Sequence, residues 1–474
     1  AGGAAGLALG WWGTHALAAL QPAQLLKVRD VQMNWSVVGY VAGIATLSGM
    51  LFGLAPALWN GARAPSDALK EGGRGDAGGT RMRRWGTALV VSEVALALVL
   101  TLGAGLLVRS FMKLRSVNPG FDANGVLTLS VPLPAIRYDT FPKVTAYYDE
   151  LTRRTRALNG VESVGLASQL PATGYSWSSD FSVAGRPGPS PISQVVHRSI
   201  DSGYTSVMRV PLLRGRMFNA TDRDGAPMVV LINEALATKY FSGENPVGQR
   251  VAFDRVPNAA SVWRTIVGVV GNERQGTMAE EPHPEFLSPW EQEKDGGLDL
   301  VIRTRGDPHL LMPPVRAIVA ALDPKLAIAH LRTMDDVRAE SIARERFLTT
   351  LLLVFGGVGL ALAVVGVYGV MAQLVRGRTR EMGIRTALGA PAASVQWIVV
   401  RHGIALASAG IALGIAVALV STRALLSLLY QVDPVDAPTF VAVPLLLVAA
   451  AVAASWVPAW RASRVDPMEA LRGE

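Results

Sequence analysis

No cysteine occurs anywhere in the 474 residues. That excludes a disulfide framework, thiol chemistry and Cys-ligated zinc, so any part facing an oxidising compartment must stand on its own core. Charge is scarce as well: 17% of residues are charged and 50% are hydrophobic, with a mean hydropathy of +0.30. That is too apolar for an ordinary water-soluble chain of this length and fits one divided between bilayer and water. The histidines (His15, His197, His283, His309, His330, His402) form no H-E-x-x-H and no close pair, so no metal site is expected. G-x-x-x-x-G-K-[ST] is missing, which excludes a P-loop in this chain, and so is the G-x-S-x-G nucleophile elbow. The net charge of +8 does not point to nucleic acid, because the basic residues are spread out or border apolar runs.

Long apolar runs are what the chain has in place of these. They cover residues 1–20, 35–58, 85–108, 347–375, 395–420 and 438–458. A bilayer-crossing helix needs about 20 apolar residues, so six spans are expected. Residues 109–346 have the character of a soluble α+β domain. Strands are predicted over 126–132, 161–167, 228–232, 265–270 and 298–303, and helices over 141–158, 233–241 and 308–322. Residues 168–194 and 274–297 read as long loops, and the length allows two lobes. Short Arg-rich loops stay cytoplasmic. That places the Gly-rich linker 63–84, the loop 376–391 and the tail 459–474 inside, and the domain 109–346 outside.

The loop 376–391, RGRTREMGIRTALGAP, carries Arg376, Arg378, Arg380 and Arg385 against Glu381 alone. Glu381 and Arg385 stand at i,i+4 with the acid first, the favourable order for a helix pair. Ile384 and Leu388 share a face at the same spacing. Gly389 supplies a helix terminus and Pro391 blocks continuation. Two readings follow: a basic turn without a partner, or a docking helix for a cytoplasmic protein. In the docking reading Ile384 and Leu388 are anchors, Met382 is an adaptable neighbour, Glu381 and Arg385 orient the partner, and Gly383 lets it approach.

The run Glu381-Met382-Gly383-Ile384-Arg385-Thr386-Ala387-Leu388-Gly389-Ala390 resembles the cytoplasmic signature of MacB/FtsX-type ABC transporter permeases. The segments 83–111, 211–218 (PLLRGRMF), 230–241 (VLINEALATKYF), 245–248 (NPVG) and 464–472 resemble other parts of the same family. The resemblance implies a polytopic α-helical membrane protein with a large α+β extracytoplasmic domain of the MacB periplasmic core type. It also implies a bacterial inner-membrane location and export or mechanotransmission as the task. The expected partner is a cytoplasmic ABC ATP-binding subunit that docks at Glu381, Met382, Gly383, Ile384, Arg385, Leu388 and Gly389. No cofactor is expected in this chain, ATP-Mg lying on the partner; the bilayer and periplasmic or outer-membrane proteins are further candidate partners. A membrane-anchored sensor and a tethered ectoenzyme remain the alternative functions.

An internal repeat adds to this. Ala55-Pro56-Ala57 matches Val457-Pro458-Ala459, and 65–70 (PSDALK) matches 467–472 (PMEALR) at the same offset; 6–10 resembles 410–414. Residues 1–62 are therefore expected to be the last two helices of a first FtsX-like module, with a complete second module following. The resemblance then implies the duplicated permease type and the C-terminal portion of a longer protein. One polar residue stands out inside a span. Glu93 is a functional candidate because an intramembrane carboxylate is costly; the bland alternative is pairing with Arg83 or Arg84.

Overall fold

The computed structural model describes residues 77–174, 177–186, 194–388, 390–421 and 428–464, with isolated positions 39–40, 42–43 and 46–47. The first two expected spans, the 1–62 module, Gly389 and the closing 465–474 segment lie outside the described residues, apart from those isolated helical positions. The chain divides into two compact units, Ser116–Ala343 and the flanking helical segments.

Helix α1 (Ala77–Arg115) corrects two expected boundaries. It begins inside the segment read as a flexible linker, because Gly78 and Gly79 fall in its first turn and the arginines after them are good helix formers. It also runs past residue 108, with Lys113 and Arg115 in a last turn where cations complement the helix dipole.

The α+β unit is one twelve-stranded sheet, not two separate sheets. Its strands are β1 (Val126–Ser130), β2 (Val161–Ala167), β3 (Trp177–Ser179), β4 (Ser182–Val183), β5 (Val195–Ile200), β6 (Leu212–Gly215), β7 (Val229–Asn233), β8 (Arg250–Ala252), β9 (Trp263–Val270), β10 (Glu285–Pro289), β11 (Asp299–Thr304) and β12 (Ala329–Thr333). They run in the order β12-β1-β11-β2-β5-β10-β7-β9-β8-β4, with β3 on β5 and β6 on β9. Two hydrophobic cores lie along this sheet. In the first, helices α2 (Phe141–Arg156) and, later in the chain, Met312–Leu322 pack Tyr148, Leu151, Val315 and Val319 against Leu127, Leu129, Leu300 and Ile302. In the second, α3 (Glu234–Tyr240) contributes Leu236 against Val230, Ile232, Ile266 and Phe286. We number Met312–Leu322 α4 and the helix after β12, Met334–Ser341, α5. A capping box starts α5: Thr333 Oγ1 accepts from Asp336 N at 3.1 Å and the Asp336 carboxylate accepts from Thr333 N at 3.0 Å.

The two expected long loops are corrected here. Residues 168–194 hold β3 and β4, and 274–297 hold β10 and a helical turn at Trp290–Glu293. β5, which no periodicity announced, is buried along its whole length although it carries His197 and Arg198. Burial of a charge needs pairing, and Arg198 has it. Its guanidinium pairs with Glu273 and, at 2.9 Å, with Glu285, and donates to the Tyr204 hydroxyl at 2.7 Å. β5 and β10 are parallel neighbours, so Arg198 and Glu285 meet across the ladder in the middle of the sheet.

The helical unit continues with α6 (Ala343–Gly377), α7 (Thr379–Ala387), α8 (Ala392–Ser421) and α9 (Ala437–Ala462). Helices α1, α6, α8 and α9 are long and apolar enough to cross a membrane. Helices α6, α8 and α9 outrun their expected spans by a few residues, and α9 absorbs Arg461 from the expected tail. Small residues let these helices close on one another, as they do in bilayers generally. A β-carbon on Gly410 would lie 2.6 Å from Cβ of Val94, and one on Gly414 2.9 Å from the Ala95 carbonyl. Gly356 and Gly359 face Thr101 and Ala97 at 3.4 Å, and Gly357 faces open space.

Candidate functional site

The loop between α6 and α8 holds the short helix that the i,i+4 pattern predicts. Arg378 breaks α6 from α7 with φ −121° and ψ 14°, and its carbonyl accepts from Met382 N at 3.0 Å. Glu381 and Arg385 pair at 2.7 Å, half exposed, on the outside of α7. Such a surface pair is worth about 0.3–0.5 kcal/mol, so its use is orientation more than stability.

Positions 381, 384, 385 and 388 follow the i, i+3, i+4, i+7 rule and form one face. That face is open. Ile384 is 41% and Leu388 83% exposed, two aliphatic side chains beside an ion pair. Met382 and Gly383 lie on the opposite side. Met382 is 3% exposed and belongs to the same apolar cluster as Val395, Val399 and Leu374 of the membrane helices. Gly383 is also buried. This corrects the sequence reading, in which Met382 was a neighbour of the partner and Gly383 its point of approach. At 100° per residue the two cannot share the face of Ile384 and Leu388, and an apolar bundle was available to receive them. Met382 fastens α7 to the bundle, and Glu381, Ile384, Arg385 and Leu388 are left to face outward. Gly389 lies outside the described residues.

Glu93 stands on α1 with its Oε2 shielded from solvent and without a hydrogen-bond partner among the described residues. It lies against Gly366 of α6, where a β-carbon would overlap that oxygen. The side chains of Arg83 and Arg84, its suggested partners, are outside the described residues. Arg401 is exposed, and His402 Nδ1 is 2.8 Å from the Ile398 carbonyl of its own helix.

At the other end of the helical unit, Arg109 of α1 pairs with Asp436, the residue that caps α9 by accepting from Thr439 N at 3.0 Å. Sequence reasoning missed this link. Only the Asp-x-x-Thr pattern at a helix start hinted at the cap, and nothing local named Arg109 as its partner.

The α+β unit has a cleft of about 310 Å³ between α2, residues 218–223 and the Trp290–Glu293 turn. Most of its charged groups already serve the fold. Asp201 accepts from Leu166 N at 2.9 Å and Tyr204 N at 2.8 Å; burial nevertheless pushes its carboxyl up to about 6. Asp222 is gripped by Arg216 at 2.6 and 2.9 Å, and that pairing holds its carboxyl below the usual range. Arg156 donates to the Val164 carbonyl at 3.2 Å. Arg153 pairs with Glu150 at 2.6 Å, which leaves Arg223 with Asp149 and Glu291, both acids raised by burial. Among the described residues no histidine or lysine lines the cleft. Among the described residues no group of three or more His, Asp or Glu could hold a metal ion.

Comparison with known proteins follows this division of the chain. Residues 353–467 match the FtsX-like permease C-terminal family, and 87–329 match the MacB-like periplasmic core domain. The pyoverdine export ATP-binding/permease protein PvdT of Pseudomonas putida is 26% identical over 57% of this chain and 42% of its own length. The macrolide export ATP-binding/permease protein MacB of an Azoarcus species is 26% identical over 56% of this chain and 40% of its own. YvrN of Bacillus subtilis, named an uncharacterized ABC transporter permease, is 24% identical over 58% and 69%. The chain thus spans less than half the length of the PvdT and MacB relatives. The crystal structure of the periplasmic region of MacB from Actinobacillus actinomycetemcomitans covers 48% of this chain at 15% identity and a TM-score of 0.33.

Proposed function

This chain belongs to the MacB/FtsX-like family of ABC transporter permeases, and we propose that α7 is the seat of a cytoplasmic ATP-binding subunit whose motion the permease passes to the α+β domain. The observation that carries the proposal is the two-sidedness of α7. Met382 fixes it to the membrane bundle, while Ile384 and Leu388 stay exposed next to the Glu381–Arg385 pair. A helix held rigidly on one side and apolar on the other is suited to lie in a groove of a partner.

ATP and magnesium would then be bound and hydrolysed by the partner, and this chain would contribute no catalytic group. The Arg-rich loop supports a cytoplasmic side for α7, and the proposal includes the bacterial inner membrane as the site of action and the periplasm as the location of the α+β domain. Periplasmic or outer-membrane proteins that meet that domain belong to the same proposal. So does export, or mechanical transmission without passage of cargo between the helices. The names of the PvdT and MacB relatives join ATP-binding and permease functions, whereas YvrN is named for the permease alone; the proposal for this chain is the separate subunit.

The test is co-purification of a P-loop ATPase with the membrane-inserted chain. Ile384→Asp and Leu388→Asp should abolish it without reducing the amount inserted, and Glu381→Ala should weaken it mildly. Undiminished association in both aspartate variants would reduce α7 to a basic turn.

A further inference from the structure

Among the described residues the bundle is open next to α7. A cleft of about 480 Å³ lies between α1, α6 and α8. Its walls are apolar, with Val91, Met371 and Leu406 among them, and Thr87, Gln373, Arg378 and His402 supply polar groups. Its depth follows from the packing above it. Gly366 meets Glu93 and Gly410 meets Val94, so the level of Gly86, Gln373 and His402 lies about two helical turns nearer the α7 end. From there α6 runs only to Gly377 before Arg378 and α7. The cleft therefore sits where apolar helix gives way to arginine, at the boundary between acyl chains and headgroups.

Arg378 makes this cleft more than a packing gap. It is half-buried, and its guanidinium has no ion-pair or hydrogen-bond partner among the described residues. Its backbone is pinned at the break between α6 and α7, by its N–H to the Val375 carbonyl at 3.1 Å and its carbonyl to Met382 N. A guanidinium on a pinned backbone, with no counter-charge among the described residues and apolar walls beside it, calls for an anion that carries an apolar tail. The histidine is compatible with this. A carbonyl can only accept, so His402 Nδ1 donates to Ile398 and Nε2 has no partner among the described residues.

We propose that the cleft between α1, α6 and α8 binds one anionic phospholipid of the inner leaflet, phosphate on Arg378 and acyl chain along Val91 and Leu406. The lipid would hold the residue at which α7 begins, and so would set the pose of the exposed Ile384–Leu388 face. Lipid occupancy is measured without any ATP-binding partner, so failure here and failure of the coupling proposal are separate outcomes.

The experiment is native mass spectrometry of the full chain purified in detergent, with phosphatidylglycerol and phosphatidylcholine as probes. The chain should retain one phosphatidylglycerol in preference to phosphatidylcholine, and millimolar inorganic phosphate should not displace it. Arg378→Ala should lower that retention about tenfold, the equivalent of one charge-assisted contact of about 1.4 kcal/mol. Arg378→Lys should restore it, and Arg376→Ala, which removes the same charge from an exposed position nearby, should leave it unchanged. If Arg378→Ala does not fold, Arg378→Gln carries the same expectation. Equal retention of the two lipids, displacement by phosphate, or retention undiminished in the Arg378 variants would overturn the assignment.

Discussion

Gly366 of α6 faces the carboxyl of Glu93 on α1, and the missing β-carbon is what leaves that carboxyl its space. The costliest group in the span is thus matched to the smallest residue on the neighbouring helix. Close approach of helices at glycine is the usual basis of packing in lipid, and here it also accommodates a buried oxygen with no hydrogen-bond partner among the described residues.

A double-mutant cycle follows from that pairing. Gly366→Ala should lower the melting temperature of the detergent-solubilised chain, because its methyl overlaps Glu93 Oε2. Glu93→Ala should suppress most of the loss, giving a coupling within the about 0.5–3 kcal/mol seen for residues in contact. Gly357→Ala, which meets nothing within 4 Å, is the neutral control. Additive effects of Gly366→Ala and Glu93→Ala would show that the two positions do not share space.

On α7 the two apolar types of residue should part company. Met382→Ala opens a cavity in the bundle and should cost about 2–5 kcal/mol of stability, as core truncations of methionine do. Leu388→Ala should leave the melting temperature unchanged and weaken ATPase association by about tenfold, the value of a lost aliphatic anchor. The reverse pattern would mean that Leu388 packs on the bundle and Met382 on the partner.

Residues 116–343 should fold when expressed alone. The unit has its own sheet and two cores, and without cysteine its unfolding should be cooperative and indifferent to reductant. Arg198→Met in this fragment leaves Glu273 and Glu285 buried without their cation, which should cost about 3–5 kcal/mol. A fragment that aggregates and unfolds without cooperativity would contradict the autonomy of the unit.

The same fragment should weaken in acid through His197. The ring stacks on Trp177 at 3.8 Å and meets Phe253 at 4.1 Å, and its Nε2 is 2.8 Å from Ser179 Oγ. Burial, helped by the nearby Arg264 charge, pushes its pKa down to about 3. An unfolded histidine titrates near 6.5, so between those values the unfolded state binds more protons and stability falls as pH falls. At pH 5 the loss from this residue should approach about 2 kcal/mol relative to pH 7. Asp149 and Glu291, raised by burial, act in the opposite direction, so the informative quantity is the difference between wild type and His197→Phe in urea titrations at the two pH values. A variant whose stability changes with pH as steeply as wild type would remove His197 from the account.

The sequence by itself determined what depends on local chemistry. Hydropathy located four helices able to cross a membrane to within a few residues at most of their ends, because an apolar run of that length has no other low-energy setting in a bilayer. Alternation and turn residues located β1, β2, β7, β9 and β11, and the Glu381–Arg385 spacing located α7. Tertiary structure decided whatever depends on a partner far along the chain. β5 and β10 were illegible because their charged residues, Arg198 and Glu285, become tolerable only when the parallel ladder places one beside the other. Arg109 and Asp436 are separated by most of the chain and meet only once α1 and α9 are assembled. The two faces of α7 also required the bundle. Met382, Ile384 and Leu388 are equally apolar in sequence, and only the presence of Val395, Val399 and Leu374 on one side settles which is buried and which are left free.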